Sequence, residues 1–114
     1  MAAGDCILTK GANVAGCDLS GNDYSGDDLT RANISGATLV GTTFSGANLT
    51  RANLSGSDAT GADFTNATAP KSTNMKNMDL TNADLSGLVG GVSFAGSTFC
   101  NTTMPDGNVN NSGC

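Results

Sequence analysis

The chain contains no histidine, no glutamate and no tryptophan among its 114 residues. Without histidine or glutamate, a Ser-His-Asp or Cys-His relay has no base to build on, and no catalytic residue is expected. Zinc loses its usual nitrogen ligand, and no Cys-x-x-Cys pair replaces it, so no metal and no cofactor are expected. Positive charge is sparse. Five Lys plus Arg face ten acidic residues, all of them Asp, for a net charge of −5. That balance argues against nucleic acid as a direct partner, because phosphate binding needs Lys/Arg patches. No apolar run approaches the roughly 18 residues of a membrane-crossing helix, so no membrane insertion is expected. The first residues lack a charged segment followed by an apolar one, so no signal peptide is visible. Met1-Ala2-Ala3 suits either a protein that stays where it is made or one whose signal was trimmed.

What is abundant is Gly, Ser, Thr and Asn, a composition that by itself suits disorder. Order in the sequence overrides that expectation. From Ala32 it reads ANISG, ATLVG, TTFSG, ANLTR, ANLSG, SDATG, ADFTN, and the pattern extends from about Val14 to Met104. A biased composition with a fixed period marks a repeat architecture.

A period of five constrains the backbone. In an extended segment side chains alternate sides, so the Ala and Leu of A-N-L-S-G share one face and the Asn and Ser share the other. Five is odd, so a straight strand would throw the apolar pair to the opposite side at each repeat. The chain keeps one interior only by turning at each repeat, where Gly16, Gly21, Gly26, Gly36, Gly41, Gly46, Gly56 and Gly61 recur. Turning repeatedly with one hand produces a solenoid with small and apolar residues inside.

The A-[DN]-[LF]-[ST]-[GRN] pattern resembles the pentapeptide-repeat family over about four-fifths of the chain. The resemblance implies an all-β fold, a right-handed quadrilateral parallel β-helix with four repeats per coil and about five coils. Residues twenty apart would then stack at about 4.8 Å. The expected interior stacks are Val14, Ile34, Leu54, Met75, Phe94; then Leu19, Leu39, Ala59, Leu80, Phe99; then Tyr24, Phe44, Phe64, Leu85, Met104. A fourth, Leu29, Leu49, Ala69, becomes ragged near Val89. One residue too many before Met75 and one too few before Phe94 cancel. They read as a bulge at Pro70-Lys71 and a tightened corner at Val89-Gly90-Gly91. The alternative is a recognition loop projecting from Pro70 to Lys76. The expected organisation is an N-terminal cap over 1–12, the repeat coil over 13–104 and a C-terminal cap over 105–114.

The four cysteines sit at the ends of that coil, Cys6 and Cys17 at one and Cys100 and Cys114 at the other. Pairing across the length of the coil would span about 20 Å, beyond disulfide reach. Local bridges Cys6–Cys17 and Cys100–Cys114 would staple each cap to its own coil, each contributing about 3 kcal/mol. The alternative is four unrelated thiols. Bridges imply an oxidising compartment, whether secreted, periplasmic or lumenal, whereas free thiols fit the cytoplasm.

Most of the acids, Asp18, Asp23, Asp28, Asp58, Asp63, Asp79 and Asp84, fall at the outer Asn/Asp position of the repeat and read as solvated surface. Glycosylation sequons at Asn33, Asn48, Asn53, Asn66, Asn101 and Asn110 are largely a by-product of the repeat. Two departures stand out. Cys17, Asn22 and Asp27 occupy the inward position that Ala32, Ala47, Ala52 and Ala62 fill later, which makes Asn22 and Asp27 a candidate polar or ion site at the mouth of the coil. Arg31, Arg51 and Lys71, spaced by twenty, are a candidate basic docking edge opposite acidic faces. Ice or polysaccharide binding is a remote option, because Thr38, Thr43, Thr98 and Thr103 alternate with Asp and do not form an unbroken array. The expected function is a non-enzymatic scaffold or protein-interaction module, a monomer with another protein as its partner. The alternative comes from the resemblance, since some family members mimic DNA and bind type II topoisomerases, conferring quinolone resistance. This chain departs from that group in its modest charge, its basic edge, its lack of a long loop and its lack of an apolar C-terminal dimerisation helix.

Overall fold

The structure, a computed structural model, describes residues 6–114, so the first five residues of the expected N-terminal cap lie outside the described residues. Each repeat ends in a turn. The N–H of the residue opening the next repeat donates to the carbonyl of the central apolar residue, as from Cys17 to Val14 (3.0 Å) and from Ala47 to Phe44 (3.0 Å). The third residue of such a turn takes positive φ, as in Gly16 (73°), the signature of a type II turn. Glycine recurs there because it meets no Cβ penalty.

The segments between turns pair with the next level of the coil through parallel bridges. One ladder runs Asn13, Asn33, Asn53, Asn74, Ser93, and the next runs Asp18, Thr38, Asp58, Asp79, Thr98. The third runs Asp23, Thr43, Asp63, Asp84, Thr103, and the fourth runs Asp28, Asn48, Thr68, Val89. Around each rung the backbone is satisfied in both directions, as where Asn33 N–H donates to Ala12 O (2.8 Å) and Val14 N–H to Asn33 O (2.9 Å). The particle measures 39 × 24 × 22 Å.

The recurrent Asn or Asp is structural. Its side-chain oxygen accepts the N–H two residues on, which would otherwise go unpaired in the turn. Asn33 Oδ1 takes both the N–H (3.1 Å) and the hydroxyl (2.7 Å) of Ser35, and Asp58 Oδ1 does the same with Thr60 (3.1 and 2.7 Å).

Inside, Ile34, Leu39, Phe44, Leu49, Leu54 and Phe64 are fully buried. Tyr24, Phe44 and Phe64 stack face to face with centroids 5.5 and 5.0 Å apart. Where the small inward residue is a Thr or Ser, its hydroxyl donates to a main-chain carbonyl. Thr42 reaches Leu19 O (2.9 Å), Thr73 reaches Leu49 O (2.6 Å) and Thr102 reaches Leu80 O (2.6 Å). No buried side-chain polar atom among the described residues lacks a partner.

The spacing of twenty changes at two places. Asn53 pairs with Asn74, twenty-one residues on, and Asn74 pairs with Ser93, nineteen on, so the two shifts cancel. The extra residue lies in the corner at Pro70–Thr73, closed by Thr73 N–H donating to Pro70 O (2.9 Å). That stretch does not project as a loop, because Thr73 and Met75 are buried. On the shortened side, Val89 bridges Thr68 and points outward, 56% exposed, which leaves Gly90 at the central position of the fourth stack. A Cβ at Gly90 would lie 2.6 Å from the Ala69 and Pro70 backbone, and its φ is 119°, so only glycine fits.

The ends are closed differently. A Cys6–Cys17 disulfide (Cα–Cα 5.7 Å) ties the incoming segment to the first coil, and Leu8 beside it is buried. At the other end β1 (Thr102–Thr103) pairs antiparallel with β2 (Val109–Asn110), and a Cys100–Cys114 disulfide (Cα–Cα 4.9 Å) pins the tail beyond. The hairpin reverses the chain over the last coil and caps part of its exposed strand edge.

Candidate functional site

Charge is sorted around the coil by the repeat itself. Arg31 and Arg51 occupy equivalent corners of successive levels, bracketed by the Asp28–Asn48 and Asn33–Asn53 bridges. Lys71 stands three residues past Thr68 as Arg51 stands three past Asn48, and Asn48 and Thr68 are themselves bridged. Lys10 extends the row, since its neighbour Gly11 donates to Thr30 O (2.9 Å) beside Arg31. Four of the five cations therefore follow one corner, and all four are exposed. The sequence reading missed Lys10, which lies outside the twenty-residue spacing of the others.

This corner is also conformationally unusual. Arg31 and Arg51 hold φ of 65° and 62°, the left-handed region that glycine fills at the other corners of these levels. A side chain other than Gly, Asn or Asp costs about 1 kcal/mol there. Lys10 lies 3.7 Å from Asp28, an exposed pair of little energetic weight. Arg31, Arg51 and Lys71 have no carboxylate partner among the described residues.

Six of the ten acids take the two ladders on the far side, while Asp28 lies on the ladder beside the basic corner. Asp18, Asp58 and Asp79 share one, and Asp23, Asp63 and Asp84 share the next. Side-chain and backbone hydrogen bonds from Ser20 hold the Asp18 carboxyl below its ordinary value, and Ser25 does the same for Asp23. Thr30 does so for Asp28, with a smaller contribution from the Lys10 charge. These carboxylates are therefore committed to the turns as well as to the surface.

Asn22 and Asp27, expected at an inward position, are both exposed and not enclosed. They belong to the first coil, where no earlier coil walls in the position that later levels bury. Asn22 Nδ2 donates to the Tyr24 hydroxyl (3.0 Å), and no group of three or more metal-ligating side chains occurs among the described residues. Cys17, by contrast, is buried beneath its disulfide. At the C-terminal end an open depression of about 630 Å³ lies between Met104 and Asn111, with Asp106 as its charged residue.

A family profile described as pentapeptide repeats matches residues 28–66, in eight copies. The crystal structure of a pentapeptide repeat protein from the thylakoid lumen of Arabidopsis thaliana aligns with 90% of this chain and 72% of its own, at 30% identity and a TM-score of 0.79. The chain belongs to the pentapeptide-repeat family. HetL, a pentapeptide repeat protein involved in heterocyst differentiation regulation in the cyanobacterium Nostoc, is 26% identical, with a TM-score of 0.55 over 88% of this chain. QnrB1, a plasmid-mediated fluoroquinolone resistance protein, gives a TM-score of 0.64 over 82% of this chain at 19% identity, a likeness of fold. This pentapeptide-repeat chain spans about half the length of those two, 52% and 54%. No curated protein sequence matches it significantly. Among the described residues no helix is long and apolar enough to cross a membrane.

Proposed function

We propose that this pentapeptide-repeat chain is a non-enzymatic protein-interaction module, a rigid right-handed coil of the family's four-sided form that presents side chains at a fixed pitch. The observation that carries the reading is the sorting of charge, with cations along one corner and six of the ten acids on the two ladders opposite. Unsorted charges would suffice for solubility, whereas sorted charges orient a partner. Two disulfides and a relative from the thylakoid lumen support an oxidising compartment as its place of work.

The test is cross-linking of the disulfide-intact protein in its native compartment, read by mass spectrometry. Inter-protein links confined to one side of the coil are expected; links found only within the chain would sink the reading. A second reading, topoisomerase binding by DNA mimicry, is favoured by the acidic ladders alone. The basic edge and the disulfides count against it, and inhibition of gyrase supercoiling by the intact protein would revive it.

A further inference from the structure

The amide groups beside the basic corner add a second property to it. Asn13, Asn33, Asn53 and Asn74 form the adjoining ladder, and each uses its Oδ1 to accept a main-chain N–H, at 3.2, 3.1, 3.0 and 3.1 Å. On the other flank Asn48 Oδ1 accepts from Thr50 (3.0 Å). The oxygen is engaged and the NH₂ makes no hydrogen bond among the described residues, on side chains that are exposed at Asn13 and Asn48 and half-buried at Asn33, Asn53 and Asn74. The corner therefore displays guanidinium and ammonium groups flanked by amide donors, a strip rich in donors and poor in free acceptors. At Arg31 and Arg51 it is kept at the expense of a left-handed backbone that glycine would relieve.

We propose that the corner of Lys10, Arg31, Arg51 and Lys71, together with the amides of Asn33, Asn53 and Asn74, is a binding edge for an extended acidic segment of a partner protein. The inference rests on the interaction-module reading and names its surface. Guanidinium groups pair with carboxylates through two parallel hydrogen bonds, and the amide donors can take up remaining carboxylate or carbonyl oxygens. The strip is one cation wide. Duplex nucleic acid or an anionic bilayer would extend past it onto the Asp18 and Asp23 ladders, whereas a single extended chain can follow Arg31, Arg51 and Lys71 and meet only Asp28, which Lys10 pairs.

The test titrates fluorescein-labelled poly-L-glutamate with the full disulfide-intact chain at low salt and follows anisotropy. Saturable binding is expected, weakened about tenfold in the Arg31→Gly/Arg51→Gly double variant, with no fall in that variant's Tm. Asn53→Asp, which keeps the turn bond as Asp58 does, is expected to weaken binding as well. Unchanged affinity in the double variant would overturn the proposal, as would tighter binding of a DNA duplex or of phosphatidylserine vesicles. If the edge variants fail to weaken binding while inter-protein cross-links persist on the Asp ladders, the edge falls and the module reading stands. If no inter-protein links form at all, both fall.

Discussion

Around Phe44 and Phe64 the inward side chains are shut off from solvent, whereas Phe94, Phe99 and Met104, their counterparts on the last level, are only partly buried. The middle levels keep the spacing of twenty, Gly at most corners and aromatic rings stacked face to face. The last level follows a shortened corner, is preceded by Gly90 where a core side chain would stand, and sets Phe94 edge-on to Phe99 at 6.0 Å. The difference shows that a level of this coil is stabilised by neighbours on both sides. With one neighbour, the same residue types bury less and need outside help, here a hairpin and a disulfide.

The largest effect is expected from core truncation. Phe64→Ala should cost about 4 kcal/mol and Phe94→Ala about half of that in urea unfolding. Equal losses would mean that the last level is as tightly built as the middle. Next, Cys100→Ser/Cys114→Ser should destabilise by about 3 kcal/mol, the value for closing a loop with a separation of 14 residues. Hydrogen exchange should locate that loss in residues 98–114; a uniform loss along the coil would contradict the local-staple account.

Gly90→Ala should cost about 2 kcal/mol, because its Cβ would collide with backbone, against about 1 kcal/mol at Gly46, where the Cβ meets nothing closer than 4.0 Å. Arg31→Gly should act in the opposite direction, stabilising by about 1 kcal/mol in the same assay. The smallest effect is pH-dependent. The carboxyls of Asp18, Asp23 and Asp28 are held below their ordinary value when folded. Their contribution is therefore present above about pH 4 and lost as pH falls through the lowered folded value. Asp18→Asn/Asp23→Asn/Asp28→Asn keeps the turn acceptor and removes the titration, so its Tm should vary less between pH 5 and pH 2 than that of the parent.

The interior was readable because a five-residue period requires a turn at each repeat, and the family resemblance implies four repeats per coil, which stacks Val14, Ile34 and Leu54. The sequence also pointed to both irregular corners, since Pro70 and Gly90-Gly91 interrupt the count. The fate of Asn22 and Asp27 was not readable. Periodicity assigns a direction to a side chain, but only the number of stacked neighbours decides whether that direction is buried. The turn bonds of Asn33 and Asp58 were not readable, because a bond to the main chain two residues away leaves no trace in composition. The basic corner was visible as a spacing, but its left-handed backbone and its unengaged amides were not.

The paired register shifts, twenty-one residues and then nineteen, have a mechanical consequence. A coil whose every round seats on the round beneath it behaves like a screw thread. A single added residue would leave each later crest resting over the wrong groove. The chain tolerates the extra residue at 70–73 because the next round gives it back at the same corner, and Ser93 again stands forty residues from Asn53. Length changes in this fold are therefore expected to be survivable in matched pairs, one round apart, at a shared corner.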